Sequence, residues 1–170
     1  GGTDADVVRE WDRTTKSFVE GGFIVPQAKS SVTWEDADTL LVATDYGAGS
    51  MTASGYPRIV KRWKRGTPLA AAEIVAEGEA EDVGMNVFAF VDGDKRWPMI
   101  SRGKTFYTND YLIRSGETYR STIIPDTASV RDVLGGQAIV FLNKDFGTGF
   151  PAGSLISLSL EDMAADRQVP

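Results

Sequence analysis

The sequence predicts an all-β fold of antiparallel strands, and three observations lead to this prediction. Short runs rich in β-branched and aromatic residues alternate with turn residues, and no segment shows a long helical period. The run TLLVAT at 39–44 is apolar without alternation, which indicates a strand that is buried on both faces. The pattern DYGAG at 45–49 returns as DFGTG at 145–149, each time directly after an apolar strand. Antiparallel sheets that lie between two others and repeat along the chain are typical of a β-propeller.

The first half of the chain is predicted to form a partial blade and one whole blade. Extended runs at 6–12 and 17–19 form the partial blade, about 6–20, and a connector that contains Pro26 follows it. The whole blade, about 28–78, contains predicted strands at 30–34, 39–44, 58–65 and 73–77. Its second and third strands are joined by a long connection rich in Gly and Ser.

The second half is predicted to form another four-stranded blade and a second partial one within the same domain, 1–170. The blade at about 84–124 contains predicted strands at 86–91, 97–101, 105–114 and 117–124. One of its turns is placed at Arg102 and Gly103. The partial blade at about 128–160 contains predicted strands at 129–133, 137–143 and 155–160. The last ten residues are predicted as a helical turn or a loose tail.

Composition limits the partners. The chain has 170 residues, 42% of them hydrophobic, which is enough for one ordinary packed domain. Its apolar runs are too short for a transmembrane helix, so we expect no membrane partner. With 18 basic and 24 acidic residues the net charge is −6, which argues against nucleic acid. No signal-peptide pattern is visible, so we expect a cytoplasmic protein, or a periplasmic one if such a segment has been removed.

The absence of cysteine and histidine limits the chemistry. Without cysteine there is no disulfide, thiolate nucleophile or Cys-ligated zinc, and without histidine the usual general base and the commonest metal ligand are missing. No G-x-S-x-G motif is present, and the nearest candidate, Ser50, lacks the strand-turn-helix context. A serine–lysine pair stays open as an alternative. We therefore predict no catalytic, cofactor-binding or metal-binding residues, and no catalysis by this chain alone.

Two further patterns have a functional and a structural interpretation. The Gly-rich connection at 45–57 lacks the lysine of a phosphate loop, so a structured turn is favoured. The acidic residues Glu77, Glu79, Glu81 and Asp82 could hold a cation, but a solvated acidic edge is favoured.

The predicted strand at 58–65 carries the one dense cluster of positive charge. Neither face is purely cationic, because Val60 shares one face and Trp63 the other. A solvated or salt-bridged structural strand is the favoured interpretation, ahead of docking to an anionic ligand or partner, and nucleic acid is the least favoured. The candidate contact residues are Arg58, Lys61, Arg62, Trp63 and Lys64.

The chain also resembles a known family. The stretch AKSSVTWEDADTLLVATDYGAGSMTASGYPRIVKRWKRGTPL resembles the non-catalytic β-propeller domain of bacterial serine peptidases of the prolyl oligopeptidase family, and so do SRGKTFYTNDYLI and PAGSLISLSLEDM. The resemblance implies a seven-bladed propeller of which this chain holds about three blades. It also implies a partner, the separate α/β-hydrolase domain that carries the Ser, Asp and His triad. Nothing in this sequence matches the motifs of that domain.

The resemblance leads to a functional expectation. We expect a scaffold and gate that restricts a prolyl-specific peptidase to short peptides; the alternative is a stand-alone β-rich binding module for a peptide or an anionic ligand. An incomplete propeller leaves sheet edges and blade faces open, so we expect self-association, with the first two strands of one copy completing the last blade of another.

Overall fold

The computed structural model describes residues 4–165, and nearly all regular structure in that range is antiparallel β-sheet. In chain order, the strands form a small N-terminal unit, two four-stranded sheets and one three-stranded sheet. A short helix follows the last strand. No helix between residues 4 and 165 is long and apolar enough to cross a membrane. The predicted all-β, antiparallel fold is confirmed.

The N-terminal unit (6–28) is a two-stranded ladder that encloses a small hairpin. Its strands are β1 (Asp6–Arg9), β2 (Trp11–Asp12), β3 (Ser17–Phe18) and β4 (Ile24–Ala28), with β1 paired to β4 and β2 to β3. The predicted strand at 6–12 is interrupted at Glu10, whose carboxylate accepts a hydrogen bond from the Phe23 N–H at 3.0 Å. The prediction of a connector around Pro26 was wrong, because this residue lies in β4. A bulge accommodates it, since Pro26 and Gln27 together oppose the single residue Val7.

Sheet I (31–77) has four strands, and its second strand is fully buried. The strands, in spatial order, are β5 (Ser31–Asp36), β6 (Thr39–Ala43), β7 (Ile59–Lys64) and β8 (Glu73–Glu77), and a 3-10 turn at Leu69–Ala71 precedes β8. Every residue of β6 is buried, so the prediction of burial on both faces is confirmed. β7 is one residue shorter at each end than the predicted strand, because Arg58 and Arg65 donate their N–H groups to loop carbonyls.

Sheet II (84–121) also has four strands. They are β9 (Gly84–Asp92), β10 (Lys95–Thr105), β11 (Thr108–Ser115) and β12 (Thr118–Ser121), in the order β12-β11-β10-β9. The predicted turn at Arg102 and Gly103 was wrong, because both residues pair within β10. Gly103 permits close packing of strands: an added Cβ would lie 3.3 Å from Asn109 Oδ1 and 3.4 Å from the Gly84 carbonyl. The chain turns at 106–107 instead.

Sheet III (129–159) has three strands, followed by helix α1. They are β13 (Ser129–Leu134), β14 (Gln137–Phe141) and β15 (Leu155–Ser159), in that spatial order, and α1 spans Leu160–Ala164. The two faces of β15 differ in exposure, since Leu158 is buried and Leu155 is 64% exposed. The helix begins where the Ser159 Oγ accepts a hydrogen bond from the Asp162 N–H at 3.2 Å. A helical turn is therefore present near the C-terminus; residues 166–170 lie outside the described range.

The four units pack side by side with an apolar core at each of the three contacts. Alternate residues of β6 face opposite ways, so that Leu40 contacts the N-terminal unit and Leu41 contacts sheet II. A third core lies between sheets II and III. The first strands of the sheets lie next to each other, β5 beside β9 and β9 beside β13. Ser31 Oγ binds both the carbonyl (2.9 Å) and the N–H (3.0 Å) of Val87 across the first of these contacts. The described chain is thus part of a β-propeller.

Candidate functional site

The basic strand β7 contributes a buried ion pair between sheets I and II. Arg62 Nε donates to Glu35 Oε2 at 2.6 Å and Nη2 to Oε1 at 3.0 Å, and the two side chains are only 4% and 1% exposed. The Tyr119 hydroxyl, from sheet II, donates to Glu35 Oε1 at 2.8 Å. Arg62 Nη1 donates to the Glu117 carbonyl at 2.9 Å. The carboxylate therefore has three donors, and the guanidinium joins the two sheets.

The protonation states of this cluster follow from its contacts. The hydrogen bonds from Arg62 to Glu35 raise the pKa of the guanidinium, so it stays charged. Burial, followed by the negative charge of Glu35, raises the pKa of Tyr119, so the phenol stays neutral and can donate. A charged pair with a neutral phenolic donor satisfies the polar groups that this contact buries.

Arg58, at the start of the basic segment, joins two loops of sheet I. Its Nε donates to the Gly49 carbonyl at 2.9 Å and its Nη1 to the Gly78 carbonyl at 2.8 Å. Its Nη2 lies 2.8 Å from Glu77 Oε1. These contacts hold the Gly-rich connection against the end of β8.

The other three predicted contact residues lie apart from Arg62. The Lys61 ammonium lies 4.3 Å from the centroid of the Tyr46 ring, on the opposite face of β7. Trp63 is buried there, and its Nε1–H donates to the Thr67 carbonyl at 2.7 Å. Lys64 is exposed at the end of the strand. The structure thus does not gather the five residues into one site, and their contact with a ligand stays a prediction.

Sequence reasoning missed the role of Arg65, just beyond β7. Its guanidinium binds both oxygens of Glu10 at 2.8 and 2.9 Å, and its Nε binds Asp38 Oδ1 at 2.8 Å. These bonds raise the pKa of Arg65, and those from Arg65 to Glu10 lower the pKa of that carboxyl. Arg65 attaches the N-terminal unit to sheet I. No local pattern in the sequence indicates this contact, because the predicted strand at 6–12 continues through Glu10.

The repeated DYGAG and DFGTG patterns occupy equivalent positions. One lies between β6 and β7 and the other between β14 and β15, which are the second and third strands of sheets I and III. Asp45 Oδ1 accepts bonds from the Gly47 N–H (2.8 Å) and the Ser50 Oγ (3.1 Å), and Asp145 Oδ1 accepts one from the Ala152 N–H (2.8 Å). The favoured interpretation as structured turns agrees with this geometry. Ser50 is itself buried in its turn.

The acidic stretch after β8 is organised around an ion pair. Asp82 Oδ2 accepts hydrogen bonds from Arg102 Nε at 2.6 Å and from the Glu79 N–H at 2.7 Å. Burial raises the pKa of Asp82, but these bonds outweigh burial and the net pKa is lowered. Within residues 4–165, no group of three acidic side chains is arranged to hold a metal ion.

A cavity of about 500 Å³ opens where β10 and β11 separate. The ladder between β9 and β10 starts at Lys95, whereas the ladder between β10 and β11 starts only at Met99. A second cavity, of about 570 Å³, shares Glu35 and Arg96 with the first. The first cavity is lined by Glu35, Arg96, Trp97, Pro98, Met99, Ile113, Arg114, Gly116, Glu117, Leu160 and Ala164. We call it the β10–β11 cleft.

Known proteins that match the chain are larger peptidases. An uncharacterized peptidase of Sinorhizobium fredii is 35% identical over 176 residues, which cover 98% of this chain and 24% of the relative. An uncharacterized peptidase of Rickettsia prowazekii is 24% identical over 180 residues, which cover 96% of this chain and 25% of the relative. The chain thus spans about a quarter of the length of these relatives. No model of a known protein family matches the sequence.

A solved structure shows the same fold. The post-proline cleaving enzyme from Rickettsia typhi matches 99% of this chain with a TM-score of 0.86 at 24% identity, and the match covers 27% of that enzyme. The predicted resemblance is confirmed. The chain resembles the propeller part of a bacterial peptidase of the prolyl oligopeptidase family, and it shares the fold of the matched part of this enzyme.

Proposed function

We propose that this propeller segment is a non-catalytic part of a post-proline-cleaving serine peptidase, in which it acts as a scaffold and as a gate that admits short peptides. The observation that carries the proposal is the match of 99% of the chain to one part of a post-proline cleaving enzyme. The relatives matched in sequence are also named as peptidases.

The composition supports the non-catalytic part of this proposal. The chain has no histidine, so it cannot supply the base of a Ser-His-Asp triad. Ser50, the nearest candidate nucleophile, is 2% exposed, and its hydroxyl binds Asp45 and the Gly47 carbonyl. The triad would come from an α/β-hydrolase domain of the longer protein, which is the partner that the resemblance implies.

The packing supports the scaffold and gate. Three apolar cores hold four units in a fixed order, and the first strands of sheets I, II and III lie next to each other, so the units would form a rigid wall beside a catalytic domain. Such a wall would exclude large substrates by size rather than by specific contacts.

The open ends of the stack support self-association of the isolated chain. Leu134 and Leu155 are 70% and 64% exposed on the outer face of sheet III, and Val7 and Ile24 are each 53% exposed on the N-terminal unit. In the described range, β15 has no further strand on its outer edge. Open edges and apolar faces favour pairing with another copy.

Kinetics with substrates of graded length test the proposal. We expect the isolated chain not to hydrolyse a proline-containing chromogenic peptide. We expect the longer protein to cleave this peptide with a far higher kcat/KM than an unfolded protein rich in proline. Equal values for the two substrates would contradict the gate, and hydrolysis by the isolated chain would contradict the non-catalytic role.

A further inference from the structure

We propose that the β10–β11 cleft binds a short apolar peptide that ends in a free carboxylate, and that Arg96 and Arg114 hold this carboxylate. The site goes beyond the scaffold and gate, and it does not depend on them. Of the candidate contact residues of β7, Arg62 touches the lining of the cleft, through Glu35 and Glu117.

The shape of the cleft follows from the strand pairing. Residues 95–98 pair with β9 on one side, but no strand pairs with their other side in the described part of the chain. Pro98 lies next to the point where pairing with β11 begins, and it has no N–H to contribute to a ladder. The resulting volume of about 500 Å³ lies within the range of small-ligand sites. An unpaired main-chain edge is also a feature that extended peptides recognise.

One wall of the cleft is apolar. Trp97 and Met99 come from β10, Ile113 from β11 and Leu160 from the start of α1. Met99 and Leu160 are 0% exposed and Ile113 is 5% exposed, so they support the wall from within the core between sheets II and III, and the half-buried Trp97 presents its accessible surface. A rigid apolar wall of this kind suits an aliphatic side chain.

The rim of the cleft supplies two guanidinium groups. The backbone of Arg96 pairs with Val91, but its side chain forms no hydrogen bond or ion pair with residues 4–165, so the guanidinium has no partner in that part of the chain. Arg114 Nη1 lies 3.8 Å from Glu35, a carboxylate whose closer donors are Arg62 and Tyr119. Planar guanidinium groups bind carboxylates through paired hydrogen bonds, which a lysine would not reproduce.

The charges at the rim of the cleft make the C-terminal carboxylate of the peptide the group on which affinity depends. Arg114 Nη2 lies 3.3 Å from the Glu117 carboxylate, which is 83% exposed, so Glu117 partly neutralises Arg114. Glu35 is neutralised by Arg62, and Arg96 is the guanidinium at the rim that has no ion pair with residues 4–165. Because the whole chain carries a net charge of −6, an anion gains nothing from long-range attraction. Any preference for the acid over its amide must therefore arise locally.

Two probes that differ only at the C-terminus test this assignment. N-acetyl-alanyl-leucine and its C-terminal amide are titrated into nitrogen-15-labelled chain, and amide and indole shifts are followed by NMR. We expect the acid to bind roughly tenfold more tightly than the amide, as charge-assisted hydrogen bonds imply. The shifts should centre on the Trp97 indole and on Gly116.

Arginine variants complete the test. Arg96→Gln and Arg114→Gln should each lower the affinity of the acid to that of the amide, while the spectrum away from the cleft stays unchanged. Arg13→Gln, at an exposed turn of the N-terminal unit, is the matched control and should bind like the parent chain. Equal affinity for acid and amide, equal loss in all three variants, or no shifts in the cleft would overturn the proposal.

Discussion

The buried pair of Arg62 and Glu35 gives the sharpest prediction of stability. Arg62→Met keeps an unbranched side chain of similar length but leaves the Glu35 carboxylate buried at 1% exposure, with the Tyr119 hydroxyl as its remaining close donor. Removal of one partner of a buried ion pair costs about 3–5 kcal/mol. This is a large part of the roughly 5–15 kcal/mol that stabilises an ordinary domain.

A double-mutant cycle separates this cost from simple loss of packing. The double variant Arg62→Met/Glu35→Leu removes both charges, and replacement of a whole buried pair by apolar residues is often neutral. We therefore expect it to recover at least about 2 kcal/mol relative to Arg62→Met. The matched control on the same strand is Lys64→Met, which changes an exposed side chain and should alter stability by less than about 0.5 kcal/mol.

Urea unfolding, followed by tryptophan fluorescence, measures these differences as shifts of the midpoint at constant m-value. A stabilising role of the pair is refuted if Arg62→Met costs no more than Lys64→Met. It is also refuted if the two substitutions at Arg62 and Glu35 destabilise additively, because they would then not act on one shared contact.

Three further predictions concern other contacts. Burial raises the pKa of Tyr46 and, together with Glu35, the pKa of Tyr119. Above the pKa of about 10 that a tyrosine has in the unfolded chain, only the unfolded chain loses these protons. The free energy of unfolding should therefore fall with rising pH by up to about 1.36 kcal/mol per pH unit for each phenol. Alkaline urea titrations check this slope, and a slope unchanged in Tyr119→Phe would contradict it. Asp82→Asn removes the charged acceptor of Arg102 and should lower the free energy of unfolding by about 1.5–3 kcal/mol at neutral pH. The difference from the parent chain should disappear at acid pH, once Asp82, whose pKa is lowered, is protonated. Urea midpoints at neutral and acid pH measure the difference, and an equal cost at both would contradict the prediction. Leu155→Asp, on the open face of sheet III, should shift the isolated chain towards the monomer in light scattering, while its urea midpoint changes little. An unchanged molar mass would count against that face as the contact between copies.

The strand patterns predicted much of the fold because burial on two faces leaves a clear signal. The run at 39–44 has no polar alternation, and in the structure Leu40 and Leu41 enter different cores. The prediction failed where one residue type has two uses. Gly103 permits close strand packing and looks like a turn residue in the sequence, and Pro26 occupies a bulge and looks like a strand breaker.

The candidate sites were harder to predict, because they depend on contacts between distant parts of the chain. Glu35 and Tyr119 are 84 positions apart, and no local pattern indicates that they meet. The cleft depends on where the pairing of β10 and β11 starts, and the sequence did not predict this register because Arg102 and Gly103 were assigned to a turn within β10. The basic strand was visible in the sequence, but its internal partners were not.

The most direct test of the central claim is size-exclusion chromatography of the isolated chain with light scattering, combined with an assay of every fraction against a proline-containing chromogenic peptide. A non-catalytic propeller segment with open ends should elute as a defined oligomer, and no hydrolysis should follow its peak. Hydrolysis that tracks the protein peak would mean that the chain carries its own catalytic site without histidine, and the non-catalytic role would be wrong.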